Sequence, residues 1–131
     1  MKSPFEQARP GQGQEDGLGP LVVVSGLPAA GKSTLSSRLG HDLGFPVINR
    51  DQLRRYIFEG FHAIEEARTL LPAAGDRLVI GTVSAIVRAG VGAVLDGNFN
   101  TERHLTPVRE FLADSGVSAV EICLWGDTKE L

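Results

Sequence analysis

The stretch Leu21–Leu43, LVVVSGLPAAGKSTLSSRLGHDL, decides the fold. Its first five residues form a short, valine-rich apolar run, which is typical of a strand that is buried on both faces of a parallel sheet. From Lys32 onward, leucines at positions 35, 39 and 43 lie on one face of a predicted helix that ends at Gly44. The stretch therefore predicts a strand, a glycine-containing loop and a helix, in that order.

The loop between this strand and this helix matches the phosphate-binding pattern G-x-x-x-x-G-K-[ST] from Gly26 to Ser33. Its glycines let successive backbone N–H groups point at one anion, and the start of the helix adds free donors and a favourable dipole. We predict that Lys32 reaches the β- and γ-phosphates of ATP and that the Ser33 hydroxyl ligates Mg²⁺. A glycine-rich turn without a ligand is the alternative. The predicted nucleotide-binding residues are Gly26, Pro28, Ala29, Ala30, Gly31, Lys32, Ser33 and Thr34.

The chain after this unit continues to alternate strands and helices. Apolar runs predict further strands at Pro46–Asn49, Ala93–Asp96 and Ser118–Trp125. The predicted helices are one from Asp51 to a break at Gly60, a segment over 61–72 that is polar on one side, one over 76–89, and one over 101–115. In the last of these, Pro107 demands either a kink or a start at Thr106. This alternation predicts an α/β fold with a parallel sheet and right-handed crossovers.

Composition limits the class of protein. The chain has 131 residues, 42% of them hydrophobic, and a net charge of −3, which fits one globular domain and does not favour nucleic-acid binding. Residues 1–19 are rich in Gly, Pro and Gln and predict a disordered tail before a domain over 20–131. No run has the pattern of a secretory signal or a membrane span, and the single Cys123 excludes an intramolecular disulfide. We therefore expect a cytoplasmic protein.

Two carboxylates follow predicted strands and are candidates for chemistry, because ligands of open α/β sheets lie beyond the carboxyl ends of the strands. Asp51 is placed to accept a proton from an attacking hydroxyl, and Arg54, one helical turn later, to hold an anionic group of the acceptor. Asp96 ends an apolar strand, as an acidic residue that handles Mg²⁺ does. The alternatives are a helix N-cap for Asp51, a solvated face for Arg54 and Arg55, and a turn cap for Asp96.

Simpler explanations cover the other polar and aromatic residues near these segments. Turn chemistry accounts for Asn98 and Asn100, and a surface position accounts for Arg103. We expect Phe58 and Trp125 to lie in or over the core, and Cys123 to be a buried strand residue. The histidines lack metal-ligand spacing and are expected to be structural: His41, His62 and His104.

Three segments together resemble P-loop kinases of the polynucleotide 5′-kinase type and the related zeta-toxin-like kinases. They are the phosphate loop, NRDQLR at 49–54 and DGNFNTER at 96–103, and the likeness covers about residues 20–125. The resemblance implies a P-loop NTPase three-layer sandwich with a parallel sheet in the strand order 2-3-1-4. It also implies that Asp51 is the general base, that Arg54 contacts a phosphate of the acceptor, and that Asp96 lies near Mg²⁺ and the loop serine.

The resemblance further implies an arginine-rich lid, a fifth strand and a helix after the fourth strand. The sequence ends at Leu131, where the approach to that lid begins, so we expect a fragment or a degenerate member. The expected activity is transfer of the ATP γ-phosphoryl group, with Mg²⁺, to a hydroxyl acceptor. A polynucleotide 5′-OH, a nucleotide sugar, an antibiotic and another small alcohol all remain open, as does the oligomeric state. The alternatives are a non-catalytic nucleotide-binding module and an NTP hydrolase.

Overall fold

The computed structural model describes residues 17–26, 31–99 and 102–124. These residues form one parallel sheet in the order β2-β3-β1-β4. Its strands are β1 (Leu21–Gly26), β2 (Val47–Asn49), β3 (Ala93–Asp96) and β4 (Ala119–Leu124). The helices are α1 (Lys32–Leu43), α2 (Arg50–Phe61), α3 (Leu71–Arg88) and α4 (Glu102–Ser115), with a 3₁₀ turn at Glu65–Ala67. The predicted α/β class and strand order are confirmed.

The main core lies on one face of the sheet. Along α3, Val79, Val83 and Val87 recur every four residues and are all at most 2% exposed. They cluster with residues of β1, β3 and α4, among them Leu21, Val23, Leu95, Val108 and Phe111. On the other face lies α1, whose Gly40 backbone approaches the side chain of Val47 in β2. Helices therefore cover both faces, and the carboxyl ends of the strands stay open at one edge.

Several helix boundaries differ from the sequence-based prediction. Helix α2 continues through the exposed Gly60 to Phe61, because one glycine costs a helix only about 1 kcal/mol. The segment 61–72 is not one helix: it holds the 3₁₀ turn, and α3 begins at Leu71 rather than Asp76, with Pro72 in its first turn. None of the described helices is both long enough and apolar enough to cross a bilayer.

Gly26, at the end of β1, cannot be replaced without moving the sheet. Its φ is +138°, and a Cβ built there would lie 2.1 Å from the backbone oxygen of Leu124. We expect Gly26→Ala to lower the free energy of unfolding by at least about 2 kcal/mol, through overpacking and backbone strain. Gly81→Ala is the matched control, because its Cβ meets nothing within 4 Å in the middle of α3. Equal urea midpoints for the two variants would contradict this expectation.

Candidate active site

The start of α1 presents the described part of the phosphate loop. Gly31 precedes the helix in the left-handed conformation, with φ 82° and ψ 19°, and its carbonyl accepts the first helical bond from Leu35 N. No side chain of a described residue caps this end, so its N–H groups are available to an anion. Ser33 and Thr34 are exposed in the first turn. The predicted contacts of Pro28, Ala29 and Ala30 lie outside the described residues.

Lys32, at the start of α1, and Asp96, at the end of β3, form an ion pair. Lys32 Nζ lies 3.3 Å from Asp96 Oδ1, and the side chains are 6% and 3% exposed. The other carboxylate oxygen, Oδ2, accepts a hydrogen bond of 3.2 Å from Asn49 Nδ2. Asp96 thus connects Lys32, at the start of α1, to the end of β2. Neither of these two contacts is a turn cap.

The residues around Asp96 fit the predicted magnesium ion. Asp96 Oδ1 is buried and has no hydrogen-bond partner in the described residues, although it lies at ion-pair distance from Lys32. Ser33 presents its hydroxyl at the exposed start of α1. The described residues contain no group of three or more His, Cys, Asp or Glu side chains that could hold a metal. Mg²⁺ bound through one or two protein oxygens, waters and phosphates suits such a sparse set of ligands.

Asp51 lies in the first turn of α2 and does not cap the helix. The cap is Asn49, whose side chain accepts a hydrogen bond of 2.8 Å from Gln52 N. Asp51 Oδ2 instead accepts a hydrogen bond of 3.0 Å from the backbone N–H of Asn98, in the loop after β3. Its Oδ1 lies 3.3 Å from Nη1 of Arg50. The N-cap alternative for Asp51 is therefore wrong.

Two parallel connections join the ends of β2 and β3. Asn49 pairs with Asp96 in the strand register and binds it through its side chain. Two residues after Asn49 and two residues after Asp96, the side chain of Asp51 accepts a hydrogen bond from the backbone of Asn98. Asp51, the candidate base, and Asp96, the partner of Lys32, therefore lie where the neighbouring strands β2 and β3 end, with Asp51 in the first turn of α2.

An open cavity of about 370 Å³ lies beside Asp51. It is lined by Asp51, Arg54, Arg55, Phe58, Arg68, Leu71 and Pro72. Three of these side chains are guanidinium cations, although the whole chain is acidic. Arg68 is held by a hydrogen bond of 2.6 Å from Nε to the backbone oxygen of His62. Such a cavity suits a ligand with an anionic group.

The structure corrects two sequence-based expectations near this edge. Phe58 is 53% exposed and stacks on His62, with ring centroids 5.2 Å apart, because it lines the open cavity instead of the core. Cys123 is exposed, because no helix of the described residues covers β4 as α1 and α3 cover the central strands. Asn100, the side chain of Arg103, Trp125 and the residues after it lie outside the described part.

The structure also brings in residues that the sequence analysis did not select. Arg50 contacts Asp51, and Asp76 contacts both Arg50 and Arg54. Arg68, directly after the 3₁₀ turn, lines the cavity. No sequence motif marks Asp76 or Arg68. A larger groove of about 650 Å³ runs between α3 and α4 and contains none of the sequence-predicted site residues. Asp51 and Arg54 line the smaller basic cavity instead.

Comparison with known proteins places this site in a family. The family model described as the AAA domain matches residues 21–130. The chain belongs to the AAA domain family. This is a P-loop kinase-like family, so the coarser part of the predicted resemblance is confirmed, whereas the polynucleotide-kinase and zeta-toxin branch is not. No curated protein matches the sequence of this AAA domain.

Three solved structures with a similar fold are described as kinases. A candidate kinase from Chloroflexus aurantiacus has a TM-score of 0.66 and 22% identity over 82% of this chain. The Mycobacterium tuberculosis APS kinase CysC has a TM-score of 0.63 and 21% identity over 82%. Another structure of CysC, in complex with AMPPNP and APS, has a TM-score of 0.60 and 21% identity over 81%. At these identities, the likeness concerns the fold alone.

This AAA domain is shorter than the proteins it resembles. It spans 59% of the length of the Chloroflexus protein. It spans 76% and 62% of the two CysC chains.

Proposed function

We propose that this AAA domain transfers the γ-phosphoryl group of ATP to a hydroxyl of an acceptor that carries an anionic group. One observation supports this most: the two connections between β2 and β3 bring Asp51 next to the Lys32–Asp96 pair at the edge of the sheet. A phosphoryl transfer needs a cation on the donor phosphates and an oriented base on the acceptor, and these two groups provide both.

The donor phosphates bind at the start of α1 in this proposal. Backbone N–H groups at the start of α1 face the phosphates, and Lys32 turns from Asp96 to their oxygens. Ser33 and Asp96 hold Mg²⁺, which neutralises charge on the phosphates when it is bound.

Asp51 activates the acceptor hydroxyl in this proposal. Its two oxygens are oriented by Asn98 N–H and by Arg50, and each retains a lone pair for the hydroxyl proton. The proton passes to Asp51 while the acceptor oxygen bonds to phosphorus and the bond to the leaving ADP oxygen breaks. The side chain is 35% exposed, so an acceptor in the neighbouring cavity can reach it.

The acceptor itself lies in the basic cavity beside Asp51. Arg54, Arg55 and Arg68 provide three cations there, and Phe58 provides an apolar wall. A small phosphorylated or otherwise anionic alcohol fits this chemistry, and so does the end of a polynucleotide. The net charge of −3 favours the small acceptor, because an acidic chain has no overall electrostatic attraction to a nucleic-acid backbone. A reaction that consumes ATP fits a cytoplasmic location.

The arginines of the cavity predict how the acceptor is bound. We expect Arg68→Ala to raise the KM for an anionic acceptor by about 10- to 100-fold, because a charge-assisted contact is lost, while the KM for Mg·ATP stays unchanged. Steady-state kinetics with varied acceptor test this. Arg77→Ala is the matched control, since Arg77 is an exposed arginine on α3 outside the cavity. An equal KM for the two variants would remove the arginine cavity from acceptor binding.

The proposed function is tested by acceptor screening with γ-labelled ATP. Nucleoside 3′-phosphates, sugar phosphates and 5′-hydroxyl oligonucleotides are offered with Mg²⁺, and label on an acceptor is the expected result. Binding of Mg·ATP without label on any acceptor, and without release of phosphate, favours the nucleotide-binding module instead. Release of phosphate to water alone favours a hydrolase.

A further inference from the structure

The side chains behind Asp51 form a charge network that the proposed reaction does not use directly. Arg50 is only 4% exposed, although it carries a full positive charge. Its Nη1 lies 3.3 Å from Asp51 Oδ1, and its Nη2 lies 3.2 Å from Asp76 Oδ1. The guanidinium also lies over the ring of Phe99, with Cζ 5.4 Å from the centroid. Arg50 therefore has a carboxylate on each side and an aromatic face beside it.

The burial of Arg50 sets it apart from the arginines of the acceptor cavity. Removing one partner of a buried charge is strongly destabilising, so Arg50 stays bonded to its two carboxylates. The backbone of Gly97 also lies close to Arg50, since a Cβ built at Gly97 would be 3.0 Å from Arg50 Cβ. Arg54, in contrast, has a side chain that is 32% exposed, so a ligand can contact it. Arg50 is thus built to orient its neighbours and not to bind the acceptor.

Asp76 connects this network to the acceptor cavity. Its Oδ1 lies 3.2 Å from Nη2 of Arg50 and 3.8 Å from Nε of Arg54. Asp76 belongs to α3, whereas both arginines belong to α2. The two helices approach closely here because Gly75 has no side chain: a Cβ built at Gly75 would lie 2.8 Å from Arg54 Cγ. One carboxylate oxygen therefore faces both the arginine that contacts the candidate base and the arginine of the cavity.

We propose that Arg50 and Asp76 are positioning residues for phosphoryl transfer. Asp76 fixes the guanidinium of Arg50, Arg50 and the N–H of Asn98 fix the two oxygens of Asp51, and Asp76 also directs Arg54 towards the acceptor. This inference rests on the proposed role of Asp51 as the base. A guanidinium suits the task because its planar fork bonds two carboxylates in fixed directions, which a lysine ammonium cannot do.

The kinetic test separates the two positioning effects. Arg50→Lys keeps the charge and loses the fork, so we expect kcat to fall by about 10- to 100-fold with an unchanged acceptor KM. Asp76→Asn affects both arginines, so we expect a similar fall in kcat together with a raised acceptor KM. Neither change should alter the dissociation constant for Mg·ATP. The matched control is Asp114→Asn, an exposed acid on α4, which should behave as the parent chain does.

A second readout does not depend on activity. The amide of Asn98 donates to Asp51, so its hydrogen exchange in NMR reports whether Asp51 is held in place. We expect exchange to be about 10-fold faster in Arg50→Lys and Asp76→Asn, approaching the rate in Asp51→Ala, which removes the acceptor. The amide of Leu95, inside β3, serves as the reference for global opening.

The outcomes distinguish the two proposals. Parental Asn98 exchange in both variants overturns the positioning role, whatever the activity. Faster Asn98 exchange in the two variants supports the charge network. If the parent chain at the same time transfers no phosphoryl group, the network stands and the proposed function is contradicted. If Arg50→Lys does not fold, Asp76→Asn decides alone, because Asp76 is 32% exposed and tolerates the amide.

Discussion

We expect Asp51→Asn to slow the proposed phosphoryl transfer severely and to leave Mg·ATP binding intact. We expect the rate to fall by about 10²- to 10⁴-fold, the range that one positioned general base contributes. The substitution keeps the shape of the side chain and an acceptor oxygen for Asn98 N–H, so the loop after β3 stays in place. What disappears is the basic oxygen that would take the hydroxyl proton. Single-turnover transfer of labelled phosphate, beside calorimetry of Mg·ATP, measures both expectations.

The matched control for this prediction is Asp42→Asn. Asp42 is an exposed aspartate at the end of α1, with a side chain that is 65% exposed, so the variant makes the same chemical change away from the site. Transfer at the parental rate by Asp51→Asn would assign the base elsewhere. A joint loss of transfer and of Mg·ATP binding would instead mean that the substitution disturbs the Asn49–Asp96 connection two residues earlier.

Lys32→Ala loses both nucleotide binding and stability. The substitution leaves Asp96 buried and charged without its cation, which costs about 3–5 kcal/mol of unfolding free energy. We expect Mg·ATP affinity to fall by about 100-fold, because a charge-assisted contact to the phosphates is also lost. Urea unfolding and calorimetry measure the two effects separately. Arg38→Ala, on the exposed face of α1, is the control and should change neither.

A double variant separates the two effects of Lys32→Ala. In Lys32→Met with Asp96→Asn, both charges of the pair are gone and the buried space stays filled. We expect most of the stability to return, because no unpaired charge remains, whereas nucleotide binding stays absent. Restored binding in the double variant would show that Lys32 acts only as the partner of Asp96 and not on phosphate.

The sheet could be predicted from the sequence because each strand is a short apolar run between turn residues. The same logic predicted that Asp51 and Asp96 share one edge, since parallel strands end together. The sequence could not decide, however, whether these two aspartates have functional roles or only cap a helix or a turn. Asn49 and Asp51 are both good N-cap residues two positions apart, and only the start of α2 at Arg50 decides that Asn49 is the cap.

The remaining parts of the site depend on packing that no local pattern specifies. Asp76 meets Arg50 across 26 residues of chain, through the contact of α2 with α3. Arg68 enters the cavity because the segment after α2 folds into a 3₁₀ turn, where helical periodicity predicted a regular helix. Arg50 itself stood inside a quoted motif, but its burial between two carboxylates is a tertiary property.

The Lys32–Asp96 pair has a consequence for selectivity among anions. Without nucleotide, the lysine already has an anionic partner inside the protein, so an anion that binds Lys32 must compete with Asp96. The apparent affinity of a competitor is reduced to the extent that the pair stays closed. We expect this competition to weaken the binding of chloride or a single phosphate more than that of a polyphosphate, which makes further contacts at the start of α1. The proposed phosphate site would then select polyphosphates over small anions before any base or sugar is recognised.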